Sequence, residues 1–170
     1  MRKIITILIA LFGLNILSSN CLAAENEAII KKIAQQMIHS KELSKTCIKN
    51  AGGNINKMIK VEALHLGDDN ENNNLFQVEA ESTEGCCTGA KRCDVWVYKR
   101  SDDKKSFSKI FGPEYPDQLI FMPGKHNGIN DMIMEYPDGN FQPGITEYYI
   151  FNGKQYNLMK RTNRTSFRAR

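Results

Sequence analysis

Histidine, proline and tryptophan are scarce in this chain, with three, five and one in 170 residues. His39, His65 and His126 stand singly, so there is no HExxH zinc helix and no histidine cluster at metal-ligand spacing. No GxSxG nucleophile elbow and no phosphate-cradling glycine loop occurs either. A dominant charge is also missing: the formal net charge is +4, too modest for a nucleic-acid-binding stripe. Only one long apolar run exists, from Ile4 to Leu17. It falls short of the roughly 20 apolar residues that a membrane-crossing helix needs.

That run follows Arg2 and Lys3 and leads into small and polar residues ending in Cys21-Leu22-Ala23-Ala24, the pattern of a secretory signal peptide over residues 1–24. Asn20 stands where a lipoprotein signal would place a small residue before Cys21, which argues for cleavage after Ala23 or Ala24 instead. The expected product is periplasmic or secreted, with a domain over residues 25–160 and a basic, flexible tail over residues 161–170. Loss of Arg2 and Lys3 lowers the charge from +4 to +2 and leaves Cys47, Cys86, Cys87 and Cys93. An even cysteine count in an exported chain reads as a disulfide framework, because oxidising compartments make and keep such bonds.

Three of those cysteines crowd into EGCCTGAKRCDVWVY, residues 84–98. Two are adjacent and the third lies six positions on, unlike the two-to-four-residue spacing of zinc ligands. A nucleophilic cysteine would have to stay reduced after export and find a base. Disulfides remain, and neighbours Cys86 and Cys87 are poor partners on geometry. Two pairings are left, each joining Cys47 to one of that pair and the other to Cys93; Cys47–Cys86 with Cys87–Cys93 is the preferred one.

From Glu25 to Asn50 the pattern is helical, with Ile30, Ile33, Ala34, Met37 and Ile38 on one face. Ser40 is the expected cap of a second turn carrying Leu43 and Cys47, stopped at Ala51-Gly52-Gly53. Then the period becomes two. Ile59–Ala63, Phe76–Ala80, Val95–Tyr98, Phe107–Phe111, Leu119–Met122, Asp131–Tyr136, Ile145–Phe151 and Lys154–Met159 read as short strands between turn-prone dipeptides. Asn152-Gly153 is the expected type I′ hairpin. Strands joined by short turns run antiparallel. The fold class that follows is α+β: an N-terminal helical segment packed on an antiparallel β-meander of about seven strands, stapled by disulfides.

In GKHNGINDMIMEYPDGN, residues 124–140, Asn127-Gly128 is followed by Asp131 and the alternating Met132-Ile133-Met134. This resembles the hairpin of FG-GAP-type repeats. With CxxxxxCxVWVY and YYIFNGKQY it is similar to small exported bacterial proteins of unassigned activity. Calcium-binding repeats of that kind carry several aspartates in one loop, whereas a cation such as Ca²⁺ needs six to eight oxygens and only Asn127, Asn130 and Asp131 match here. Asp131 therefore reads as a turn-stabilising side chain. No metal and no cofactor is expected.

Candidate contact residues are aromatics and one histidine. Tyr115 lies in the proline-stiffened loop GPEYPD; Trp96 stands among strand aromatics with Tyr98, Tyr136, Tyr148 and Tyr149; His126 neighbours Asp131 as a potential acid–base pair. Carboxylates in general read as solvated strand faces. These features point to non-catalytic binding of a protein or envelope component, in an inhibitor- or immunity-like role, with no nucleic acid and with membrane contact only through the leader or the basic tail. A small hydrolase with unidentified catalytic residues is the alternative, and a structural envelope protein the third class.

Overall fold

The computed structural model describes residues 25–64, 66, 74–81, 85–87, 93–137 and 144–163. Residues 1–24, on which the expected leader falls, His65, most of the Asp/Asn-rich loop after β1 and the last seven residues lie outside these. Helix α1 covers residues 25–39 and buries Ile29, Ile33, Ala34 and Met37, spaced by three and four so that one stripe faces inward. Ile38, expected on that stripe, is exposed, and Ile29 takes the place one turn earlier. Helix α2, Lys45–Asn50, is capped by Ser44 rather than Ser40: the Ser44 hydroxyl accepts the Cys47 amide at 3.0 Å. Ser40 instead donates back to the Gln36 carbonyl of α1. A short 3₁₀ turn, Ile55–Lys57, leads into the strands.

Eight strands follow: β1 Ile59–Ala63, β2 Leu75–Ala80, β3 Val95–Arg100, β4 Phe107–Glu114, β5 Gln118–His126, β6 Ile129–Tyr136, β7 Ile145–Phe151 and β8 Tyr156–Asn163. They do not form the single seven-stranded meander that the turn pattern suggests. Each half of the strand set makes its own four-stranded antiparallel sheet, β1-β2-β3-β4 and β5-β6-β7-β8. Strand β8 begins two residues later than expected and runs on through Arg161–Asn163, so the first part of the expected tail is sheet.

Two apolar clusters explain the layering. The first joins α1 and α2 to one face of the first sheet through Phe76, Val78, Trp96 and Tyr98. The second joins the opposite face, with Leu75, Val97, Ile110 and Phe111, to Met132, Met134, Tyr149 and Phe151 of the second sheet. The first sheet is thus the middle of three layers, helix, sheet, sheet. That is why β3 is apolar at four consecutive positions, Val95 to Tyr98, all buried. Phe111 reaches across to meet Tyr149 and Tyr156 edge-on, with ring centroids 5.0 and 6.1 Å apart. Gly112, at φ +92°, passes so close to β3 that an added Cβ would strike the Val95 carbonyl and lie 2.9 Å from Trp96 Cα.

The structure joins Cys47 to Cys86 and Cys87 to Cys93. The first tethers α2 to the segment after β2; the second closes a small loop leading into β3. The type I′ turn is at Asn127-Gly128, where both residues have positive φ and His126 pairs directly with Ile129. Asn152-Gly153 opens a four-residue turn instead, with Phe151 opposite Tyr156 and the Asn152 side chain accepting the amides of Lys154 and Gln155 at 2.9 Å each.

Candidate functional site

Alternation along the second sheet sends one set of side chains into the core and the other to an uncovered face. Met132, Met134, Tyr149 and Phe151 point inward. The register sets Ile120 opposite Ile133, Ile133 opposite Tyr148 and Tyr148 opposite Lys160, giving one row across all four strands. Ile120 and Tyr148 are 39% and 38% exposed. The Lys160 ammonium lies 5.9 Å from the Tyr148 ring centroid, within cation–π range.

Beside this row stands the histidine–aspartate pair. The type I′ turn fixes Lys125 opposite Asn130, which sets His126 and Asp131 diagonally across the β5–β6 hairpin. His126 Nδ1 is 2.6 Å from Asp131 Oδ1, with side chains 52% and 23% exposed. An irregularity in β5 between Phe121 and Lys125 brings Gly124 under the carboxylate, where an added Cβ would sit 3.0 Å from Asp131 Oδ2. Asn130 Nδ2 donates to the Met122 carbonyl at 2.6 Å and holds that irregular stretch in place.

The other sequence candidates do not gather there. Tyr115 is exposed in the turn between β4 and β5, and His126 is at the far end of β5, roughly 25 Å away along a nine-residue strand. Trp96 is fully buried under the helical layer, its Nε1 donating to Glu42 Oε2 at 3.2 Å, and so offers no contact surface. The reason is that β3 is the strand covered on both faces. Cys47 and Cys86 are likewise core residues. Among the described residues no three His, Cys, Asp or Glu side chains gather to hold a metal ion. None of the helices among the described residues is long and apolar enough to cross a membrane.

A polar network that sequence reading missed lies between the sheets. Glu147 is 3% exposed, though carboxylates were expected on wet faces. Tyr149 donates its hydroxyl to Glu147 Oε2 at 2.5 Å, Arg161 Nε donates to Oε1 at 2.6 Å, and a second guanidinium nitrogen also contacts Oε1. Nearby, the Tyr136 hydroxyl donates to Glu114 Oε2 at 3.2 Å, linking β6 to β4 of the other sheet. The signal for Glu147 was present, since residues 147, 149 and 151 share a parity in β7 and the last two are aromatic core residues.

Burial, reinforced by nearby carboxylates, holds four phenols protonated. Tyr149 is raised by burial and then by Glu147; Tyr136 by burial and then by Glu114. Tyr98 and Tyr156 are raised by burial first and by Glu42 and Asp131 second. In the unfolded chain a phenol loses its proton near pH 10. The folded state keeps these four protonated, so their contribution to stability is present below about pH 10 and lost as pH rises above it. A spectrophotometric alkaline titration is therefore expected to show four of the six tyrosines ionising in one cooperative step coincident with loss of the near-ultraviolet circular dichroism signal. Smooth ionisation of all six with the fold intact would contradict this.

Compared with known protein families, curated proteins and solved structures, the chain matches none. Among the described residues the fold and the site together define a three-layer arrangement whose second sheet leaves one face open, with an apolar row across it and a His–Asp pair beside it.

Proposed function

We propose that this is an exported, non-catalytic binding protein of the bacterial envelope or secretome, inhibitor- or immunity-like, that holds a protein partner on the open face of its second sheet. The observation that carries the reading is the Ile120–Ile133–Tyr148 row, set on a hydrogen-bonded, four-stranded platform and left uncovered. An aromatic set between an aliphatic side chain and a lysine on a hydrogen-bonded sheet suits an interface hot spot. Lys160 ends the row beside Tyr148, so the complementary partner presents an apolar centre with a carboxylate opposite that ammonium. Export is supported by the leader-like residues 1–24 and by the two disulfides. The likeness to small exported proteins with FG-GAP-like hairpins remains a proposal, supported by the type I′ turn at Asn127-Gly128 leading to Asp131. Nucleic acid has no part in this reading, and membrane contact is confined to the leader or the basic end of the chain.

The 2.6 Å His126–Asp131 pair is the one observation that favours the hydrolase alternative. It stands on an open face where water is not excluded, the opposite of a sequestered acid–base site. Capture of an envelope protein through an apolar patch bearing a carboxylate by the wild type, and loss of at least about thirtyfold in affinity in Tyr148→Asp with Tyr115→Ala unchanged, is the expected result. Equal capture by Tyr148→Asp would reject the sheet face. Turnover of an envelope substrate that His126→Ala abolishes would make the protein a hydrolase.

A further inference from the structure

At one end of the two packed sheets, turns from both meet around a cleft. Two adjoining hollows of about 390 and 410 Å³ lie there, each within the size range of small-ligand sites, and they share Lys99 and Asp102. One is bounded by Asn74 and by the Asn127-Gly128 turn. The other is bounded by Ser101, Ser108, Gly153 and Lys154. Buried apolar residues of the inter-sheet cluster, Leu75, Ile110, Ile129 and Phe151, close the bottom.

Lys99 is the feature that asks for a ligand. It shares the parity of Val97 in β3, so it faces the layer between the sheets, and it is half-buried there. Among the described residues neither Lys99 nor Lys154 has an ion-pair partner, whereas neighbouring Arg100 is held by Glu25. A partly desolvated ammonium that makes no ion pair gains from an incoming anion. Asp102, in the same cleft, disfavours a multiply charged phosphate but accepts hydrogen bonds from hydroxyl groups. Asn127 donates from its side-chain Nδ2 to the Phe151 carbonyl at 2.8 Å, leaving its Oδ1 as an acceptor.

We infer that this cleft is a second binding site, specific for a carboxylate-bearing saccharide of about two rings, with Lys99 holding the carboxylate and Asp102 and Asn127 accepting from hydroxyls. The site is separate from the open sheet face and does not rest on the reading above.

The test is a ¹⁵N-resolved nuclear magnetic resonance titration of the oxidised, folded chain with digalacturonate, with the neutral disaccharide cellobiose and with inorganic phosphate. Digalacturonate is expected to shift the amides of Lys99, Asp102, Gly128 and Gly153 together, and cellobiose to bind at least about tenfold more weakly. Lys99→Gln is expected to weaken digalacturonate about tenfold or more, as loss of one charge-assisted contact predicts. Lys154→Gln, on the exposed rim, is expected to weaken it severalfold and decides the matter if Lys99→Gln does not fold. No localised shifts at tens of millimolar saccharide, or affinities unchanged in the variants, would overturn the inference. So would phosphate binding as tightly at the same amides, which would mark an adventitious anion only. None of these failures touches the Tyr148 result.

Discussion

Replacing Cys47 and Cys86 together by alanine is expected to lower the unfolding free energy by about 4 kcal/mol, and replacing Cys87 and Cys93 by about 2 kcal/mol. The difference comes from the loops they close. The first pair is separated by 39 residues and the second by 6, and a cross-link removes more freedom from the unfolded chain the longer the segment it closes. Packing adds in the same direction, since Cys47 is fully buried in the helix-side cluster and Cys86 nearly so, while Cys87 and Cys93 only border it. Urea denaturation checks this: the Cys47/Cys86 variant should unfold at least about 1 M urea earlier than the wild type. Equal shifts for the two variants would show that loop length is not what sets the contribution here. Gly85, at φ +83°, is part of the same device. Its carbonyl accepts the Ser44 hydroxyl at 2.6 Å, and an added Cβ would press into the Thr46 side chain, so the chain reaches Cys86 only without a side chain there.

Trp96→Ala is expected to cost about 4 kcal/mol, the range for emptying an aromatic site in a close-packed core. The ring is completely buried beneath α1 and the Glu42 segment, with Gly112 pressed against it from β4. Little nearby can move in to fill the space, because the backbone of β4 already touches it. Glu42 binds both Trp96 Nε1 and the Lys109 ammonium, so one carboxylate ties the helical layer to β3 and β4. Trp96→Phe keeps a ring but loses the N–H donor, and is expected to cost less, about 1–2 kcal/mol. Thermal or urea unfolding distinguishes the two. Because the residue lies on the side of the first sheet away from the second, folded Trp96→Phe protein should bind a sheet-face partner with unchanged affinity. A binding defect without a stability defect would place Trp96 in the function after all.

The local pattern carried much of the secondary structure and little of its assembly. Alternation in Phe76-Gln77-Val78-Glu79-Ala80 marked β2 and which of its faces is buried. The unbroken apolar stretch Val95 to Tyr98 marked β3. The dipeptide Asn-Gly occurs twice, and it made a two-residue turn only at Asn127, where His126 opposes Ile129. At Asn152 two further residues were needed before Tyr156 could face the core, so the same dipeptide gave a different turn. The site was legible in fragments. His126 and Asp131 were singled out from spacing, and their contact follows from the short turn between them. The row from Ile120 to Tyr148 was not, because its members come from three strands whose relative register no single stretch of sequence states.

By itself the sequence determined the helical stripe of α1, the strand periodicities and an even set of cysteines after the leader-like segment, because each is written in neighbours a few residues apart. Only the tertiary structure decided that eight strands divide into two sheets, that Trp96 is core and Tyr148 surface, and that Glu147 is sealed against Tyr149 and Arg161. A turn tells the chain to change direction; whether the next strand then pairs at the edge or stacks on the face depends on which arrangement buries the apolar side of every layer at once. That is a property of the whole chain.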